Sequence, residues 1–182
     1  ATMLPGVPYG MAAKFAFGDR VAVAMVGDGA MQMGGMAEML TAAKYYKTWA
    51  DPRYVVVVLN NEDLNQVTWE QRAMEGDPRF VGSQSIPYVS YAAWADLIGL
   101  KGIKVTASDQ LEEAFTEAFA ADRPVIVDVL TTPDEPPMPP HVTFAQVKAL
   151  MHSVAGAPSE GIAGAKEGVR EMIHEFMHHK KD

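Results

Sequence analysis

An aspartate held between two glycines, Gly27-Asp28-Gly29 in "GDGAMQMGG", and a pair of asparagines, Asn60-Asn61 in "NNEDLNQ", are the residues of this sequence best suited to chemistry. Main-chain N–H groups at a glycine-rich turn entering a helix are natural donors to phosphate oxygens, and the helix dipole adds to their pull. Gly27 and Gly29 permit that close approach. A carboxylate at such a place repels a bare phosphate unless a divalent cation lies between them. Mg²⁺ takes oxygen ligands such as carboxylate, amide carbonyl and phosphate, so Asp28 points to metal plus phosphate. The asparagines offer neutral oxygens that complete an octahedral shell without piling on negative charge. Taken singly, GDG reads as a tight turn and NN as a strand terminus; their pairing is what points to a cradle. A third reading makes Asp28 the phospho-acceptor of a flavodoxin-like receiver, a binding module. Receivers place further acids near the first strand, and here only Asp19 precedes "VAVAMVGDG".

The elements that must position these residues are legible as an alternation. "RVAVAMV" (20 to 26) is a near-continuous apolar run and "MAEMLTAAKYYK" (36 to 47) has helical spacing. "YVVVVLNN" (54 to 61) is β-branched and apolar on both faces, as suits the middle of a parallel sheet covered by helices. A helical "YVSYAAWADLIGL" leads to the strand "GIKVT". "SDQLEEAFTEAFAAD" carries an N-terminal cap and apolar positions at Leu111, Ala114, Phe115, Ala118 and Phe119, before the strand "PVIVDVLT". Strand alternating with helix predicts an α/β fold with a doubly wound, mostly parallel sheet and helices on both faces, whose ligands sit at the carboxyl ends of the strands. Both polar clusters, 27 to 30 and 60 to 66, fall at such ends.

The expected division is an α/β domain over residues 1–132, a proline-rich linker over 133–142 within "TTPDEPPMPP" and its flank, and a helical tail over 143–182. The tail holds "TFAQVKALMHSV" and "SEGIAGAKEGVREMIHEFMHH", with Ile162, Val169, Met172, Ile173 and Phe176 on one stripe. The start, "ATMLPGVPYG", lacks an initiator methionine and runs straight into the helix-like "MAAKFAF", which predicts a piece of a longer chain. With 182 residues, a net charge of −8 and no cysteine, the sequence offers no positive field for a nucleic acid, no disulfide and no thiolate nucleophile. No apolar run approaches the roughly 20 residues that span a bilayer, and the default expectation is a cytoplasmic protein.

GDG followed after one helix by NN at the next strand end resembles the motif of thiamine diphosphate-dependent enzymes. "ATMLPGVPYGMAAK" is similar to the segment that precedes GDG in pyruvate oxidases and acetohydroxyacid synthases, and "NNEDLNQVTWEQ" to their stretch after the second strand. The likeness covers residues 1 to about 132, and through "PPMPPHVTFAQVK", similar to the closing segment of quinone-linked bacterial pyruvate oxidases, it runs more loosely to about 150. It implies thiamine diphosphate and Mg²⁺ as cofactors. Asp28 and Asn61 would be side-chain ligands of the metal, with the main-chain carbonyl of Asp63 as a third. Gly27 would shape the turn, and Gly29 and Ala30 would offer N–H groups to the diphosphate. Met3 would prop the cofactor in its bent conformation. Leu64, Asn65 and Gln66 would lie in the loop passing over it. Glu70 matches an acidic position of pyruvate oxidases where acetohydroxyacid synthases carry an aromatic residue, although Trp69 beside it allows a one-residue slip.

In such enzymes the cofactor performs the chemistry on a 2-oxo acid such as pyruvate, with loss of CO₂. The glutamate that activates it comes from a separate domain, normally of a partner subunit, and matches no residue here. The resemblance thus implies half an active site, completed in a homodimer or tetramer, with room for FAD in a domain outside this chain. The reading is of a decarboxylating oxidase; the alternative is a carboligase such as acetohydroxyacid synthase. Leu4 and Asn65 stand where glycines are usual, which bears on substrate preference, and "YYKTWADPR" lengthens the GDG-to-NN spacing. Finally, "HEFMH" (174 to 178) satisfies the zinc-protease pattern H-E-x-x-H, but only four residues of the sequence follow it, and no downstream third ligand is expected. The apolar stripe of the same helix could dock on a membrane, yet Glu167, Glu171, Glu175, Lys166 and Arg170 mix charges on its polar face and favour packing on protein.

Overall fold

The structure, a computed structural model, describes residues 2–134, 143–156 and 170. The contacts divide the chain into two compact units: residues 1–61 with 88–131, and residues 62–87 with 132–182.

The first unit is an α/β layer structure. Its helix α1 (Gly6–Ala16) starts directly after Pro5, earlier than "MAAKFAF" suggests, because proline presets the backbone for a first turn. Strand β1 (Ala22–Gly27) leads into a helical segment made of α2 (Asp28–Ala30), a π turn over Met31–Gly35 and α3 (Met36–Tyr45). Then come β2 (Tyr54–Asn60), α6 (Tyr91–Leu97), β3 (Lys101–Val105), α7 (Leu111–Phe119) and β4 (Val125–Leu130). The intervening α4 (Asn65–Glu70) and α5 (Val81–Gln84) belong to the second unit. All four strands are parallel, in the order β1-β2-β4-β3. The expected α/β fold with helices on both faces is what the chain adopts.

β2 and β4 are central, and Val55, Val56, Val58, Val125, Ile126 and Val127 are wholly buried. On one face Ala24, Val26, Tyr54, Val56, Val58 and Ile126 pack against residues of α1, α3 and α6, including Val7, Met11, Met39 and Ala95. On the other, Val55, Val57, Ile103, Val105, Val127 and Val129 pack against Ala114 and Ala118 of α7. This second cover does not reach β1, whose Val23 and Met25 are exposed, so the run that reads as a buried strand is buried on one face only. In α7 the alanines form the contact, while Phe119 turns outward and stacks on Phe115. That helix has Gln110 at its N-cap with no side-chain cap bond, and the Gln110 amide oxygen instead accepts the N–H groups of Thr106 and Ala107.

α1 is locked to the sheet from two sides. The Tyr54 hydroxyl donates to the Val7 carbonyl at 2.7 Å. The ammonium of Lys14, fully buried, donates to the main-chain carbonyls of Arg20 and Asp51 and lies over the Trp49 ring. Burial holds that ammonium below the ordinary lysine range, with the Asp51 carboxylate pulling the other way. In the second unit, Trp69, Val147 and Leu150 make a small core between α4 and α8 (Phe144–Gly156). The helical reading of "TFAQVKALMHSV" agrees with α8. The linker residues 135–142, the stripe from Ile162 to Phe176 apart from residue 170, and "HEFMH" lie outside the described residues. Among the described residues no helix is long and apolar enough to cross a membrane.

Candidate functional site

The parallel register carries Gly27 opposite Leu59, so the chain leaves β1 at Asp28 beside the point where β2 ends in Asn60 and Asn61. Asp28 is 3% exposed. Its Oδ1 accepts the N–H of Gly29 and its Oδ2 the N–H of Asn61, each at 2.8 Å. The two sequence motifs therefore meet through a hydrogen-bonded carboxylate. A Cβ built on Gly27 would meet no atom within 4 Å, so space adjoins the turn that carries Asp28. Gly29 and Ala30 are buried in the first turn of the helical segment. The N–H of Gly29 is engaged by Asp28 itself.

That segment owes its path to two further glycines. A Cβ on Gly34 would press on Leu4 Cδ1, and one on Gly35 on Met31 Sδ, both at 2.6 Å. Their absence of side chains lets the start of α1 lie close, and the π turn accommodates it. Such turns are frequent at functional sites. Met3, expected to support a cofactor, sits just before α1 and is 41% exposed.

Behind the strand ends lies a polar set that the sequence reading missed. Tyr91, the first residue of α6, is fully buried; its hydroxyl donates to the Asp28 carbonyl at 3.3 Å and accepts from Gln32 Nε2 at 3.0 Å. Burial pushes this phenol up to about 12; the Gln32 hydrogen bond opposes the shift and the Asp28 and Asp128 carboxylates add to it. Asp128, in the middle of β4, is also fully buried, and accepts from Asn60 Nδ2 at 2.9 Å, Tyr91 N at 3.0 Å and Ala92 N at 3.4 Å. The available signal was the one charge inside the apolar run "VIVDVL", since buried charges are paired or hydrogen-bonded.

The remaining expected residues lie in the second unit. Asp63 is 3% exposed; its carboxylate pairs with Arg79 at 2.7 Å and accepts from Thr68 Oγ1 at 2.8 Å. Its main chain bridges to Ser85, using the Leu64 N–H and the Glu62 carbonyl on either side. Leu64 caps α4, and Asn65 and Gln66 form its first turn rather than a loop. Asn65 Nδ2 donates to the Pro133 carbonyl at 2.7 Å, as does Trp69 Nε1 at 3.2 Å. Glu70 is exposed and accepts from Gln66 Nε2 at 2.9 Å, one turn apart on α4.

The donor chemistry suits a hard cation. Among the described residues no group of three His, Cys, Asp or Glu side chains could hold a metal. At the two strand ends the available donors are instead one carboxylate and amide oxygens, the mixed set that leaves coordination positions for phosphate and water.

Comparison with known proteins gives the same direction. The family described as thiamine pyrophosphate enzyme, C-terminal TPP binding domain, matches residues 1–129. The Bacillus subtilis thiamine pyrophosphate-containing protein YdaP is 40% identical over 150 residues, 82% of this chain and 24% of that one. The acetolactate synthase large subunit of Haemophilus influenzae is 30% identical over 163 residues, 87% of this chain and 26% of its own. Pyruvate oxidase of Lactiplantibacillus plantarum is 27% identical over 138 residues, 75% and 22%. The chain spans about a quarter of the length of these curated relatives.

Proposed function

The chain belongs to the thiamine pyrophosphate enzymes, as their C-terminal cofactor-binding domain, and from that premise we propose that it holds the diphosphate and Mg²⁺ of a 2-oxo acid decarboxylating enzyme most like the pyruvate oxidases. The observation that carries the metal and diphosphate assignment is the Asp28 carboxylate, buried at the end of β1 and bonded to the Asn61 N–H at the end of β2. Asp28 and the Asn61 amide oxygen are the side-chain ligands, and Ala30 turns its N–H group toward the phosphates, while that of Gly29 is taken by Asp28 Oδ1. The role of the Asp63 carbonyl as a third ligand, and those of Met3, Leu64, Asn65 and Gln66 beside the cofactor, rest on the sequence resemblance.

When bound, thiamine diphosphate supplies a carbon nucleophile for the 2-oxo carbonyl and a sink for the electrons left when CO₂ departs. What this chain contributes is orientation and charge. Asp28 stands in a site largely closed to water, where a carboxylate attracts a cation more strongly than in solution. Tyr91, neutral up to about 12, keeps its proton on the Asp28 carbonyl throughout the working range and fixes the turn from behind. Glu70, acidic where acetohydroxyacid synthases are aromatic, favours an oxidase over a carboligase and is assigned to the substrate side. The glutamate that activates the cofactor, any flavin and the partner subunit belong to parts of the protein outside this chain, and a cytoplasmic homodimer or tetramer is the proposed setting.

The test uses the whole protein stripped of cofactor. Calorimetry should show thiamine diphosphate binding only with Mg²⁺ present; binding unaffected by a chelator would reject the metal role. With pyruvate and an electron acceptor, CO₂ and acetate should form in step with acceptor reduction. Acetolactate as the main product would replace the oxidase reading with the carboligase one, as the resemblance to acetolactate synthase also permits.

A further inference from the structure

The hydrogen bonds behind the strand ends close into a ring. Asp28 Oδ2 accepts the Asn61 N–H, Asn61 follows Asn60 in the chain, and Asn60 Nδ2 donates to Asp128 Oδ1. Asp128 Oδ2 accepts the N–H of Tyr91, and the Tyr91 hydroxyl returns to the Asp28 carbonyl. The ring joins the carboxyl ends of β1 and β2, the middle of β4 and the first turn of α6. Two of its members, Asp128 and Tyr91, have no exposed surface.

We propose that Asp128 is a positioning residue for the magnesium–diphosphate site, holding Asn60, and through it Asn61 and Asp28, in register with α6. The inference rests on the reading of Asp28 and Asn61 as metal ligands. A buried carboxylate in the centre of a parallel strand is costly unless its acceptor positions are filled. Here a side-chain amide and two main-chain N–H groups at the start of α6 fill them. The position of Asp128 on β4 matters because it faces both neighbours at once: Asn60 leaves β2 alongside, and α6 packs on the same face as Ile126. Asn60 Nδ2 is also held by the Val89 carbonyl at 3.1 Å, so its amide is fixed with the nitrogen toward Asp128 and cannot turn without setting its oxygen against a carbonyl. The adjacent peptide, which carries the Asn61 N–H to Asp28, is thereby fixed as well. Groups that hold metal ligands in place in this manner typically contribute about 10–100-fold to metal affinity.

Asp128→Asn tests this in the whole protein, because the substitution keeps shape but sets an amide donor against Asn60 Nδ2 or against the N–H groups of α6. The readout is the Mg²⁺ concentration giving half-maximal thiamine diphosphate binding, measured by calorimetry on apoprotein, beside the melting temperature of the apoprotein. The variant should need about 10–100-fold more Mg²⁺. Ile103→Ala, a cavity in the opposite core, should lower the melting temperature with the Mg²⁺ requirement unchanged. Tyr91→Phe keeps the ring packing and removes the hydroxyl's links to the Asp28 carbonyl and to Gln32 Nε2; it should fold and raise the requirement severalfold, so the proposal stays testable even if Asp128→Asn does not fold. Wild-type Mg²⁺ dependence within twofold in Tyr91→Phe and in any folded Asp128→Asn would overturn the proposal while leaving the metal assignment intact. Absence of Mg²⁺-dependent binding in the wild type would instead overturn the metal assignment itself.

Discussion

Asp28 Oδ2 accepts the main-chain N–H of Asn61 at 2.8 Å, so the carboxylate at the end of β1 is aimed by the residue that follows β2. A carboxylate about 4 Å from a divalent ion is worth about 4 kcal/mol per unit charge pair at an effective dielectric near 20, before desolvation is counted. Asp28→Asn keeps the shape and removes that charge. In the whole protein it should abolish Mg²⁺-dependent binding of thiamine diphosphate, and Asn61→Ala should weaken it less, since water can replace a neutral oxygen. Calorimetry with unchanged affinity in Asp28→Asn would reject the assignment.

Gly102 of β3 lies directly beneath α6: a Cβ there would run into the main-chain carbonyl of Ala92. Backbone cannot yield as a side-chain tip can. Gly102→Ala should push α6 off the sheet and cost about 1–3 kcal/mol, as overpacking does. Because Tyr91 opens the same helix, the displaced α6 should also loosen the link to Asp28. Urea unfolding measures the first effect and the Mg²⁺ requirement for cofactor binding the second; an unchanged midpoint would show that the contact relaxes without cost.

How far the sequence disclosed this arrangement depended on how local each signal was. β2 and β4 were legible because burial on both faces demands near-continuous apolar runs, "YVVVVL" in the one and "VIV" followed by "VL" in the other. The meeting of Asp28 with Asn61 was legible because both stand at the carboxyl ends of strands that pair side by side in a parallel sheet. Asp128 and Tyr91 were not, since each does its work through partners 36 to 68 residues away, such as Asn60 and Ala92 for Asp128 and Asp28 for Tyr91. Lys14 was hidden for a related reason, since one of its two acceptors, the Asp51 carbonyl, lies 37 residues on. Residues 62–87 gave least: their structure hangs on Asp63–Arg79 and on the Ser85 bridge, neither of which has a periodic pattern.

Asp51 makes the loop "YYKTWADPR" more than a longer connection. Its carboxylate takes the Arg53 guanidinium through Nε at 2.9 Å and Nη2 at 2.6 Å, and also the Arg53 N–H. The Arg53 side-chain hydrogen bonds hold the Asp51 carboxyl down at about 2, against an ordinary 3.8. With the folded value depressed, the contribution is fully present above pH about 4 and is lost as pH falls toward 2. Arg53 is partly exposed, so solvent screening keeps the contribution of the pair small. Asp51→Asn should therefore lower stability slightly at pH 7 and by much less near pH 2. Equal losses at both pH values, read from denaturant midpoints, would show that packing and not charge carries the effect.

The last expectation concerns the 182-residue chain by itself, which carries the proposed diphosphate and metal ligands but, on the family resemblance, not the glutamate that activates the cofactor. Where affinity depends on groups from two domains, the absence of one loses its contacts and also the ordering it imposes on the cofactor. Thiamine diphosphate with Mg²⁺ should then stabilise the purified chain by less than about 1 kcal/mol at ligand concentrations near its dissociation constant, an effect that a chelator removes. Pyruvate should release no CO₂. A thiamine-dependent decarboxylation rate in the purified chain that persists in Glu70→Ala would show that the activating group lies among these residues after all, and the search for it would turn to the carboxylates at the strand ends.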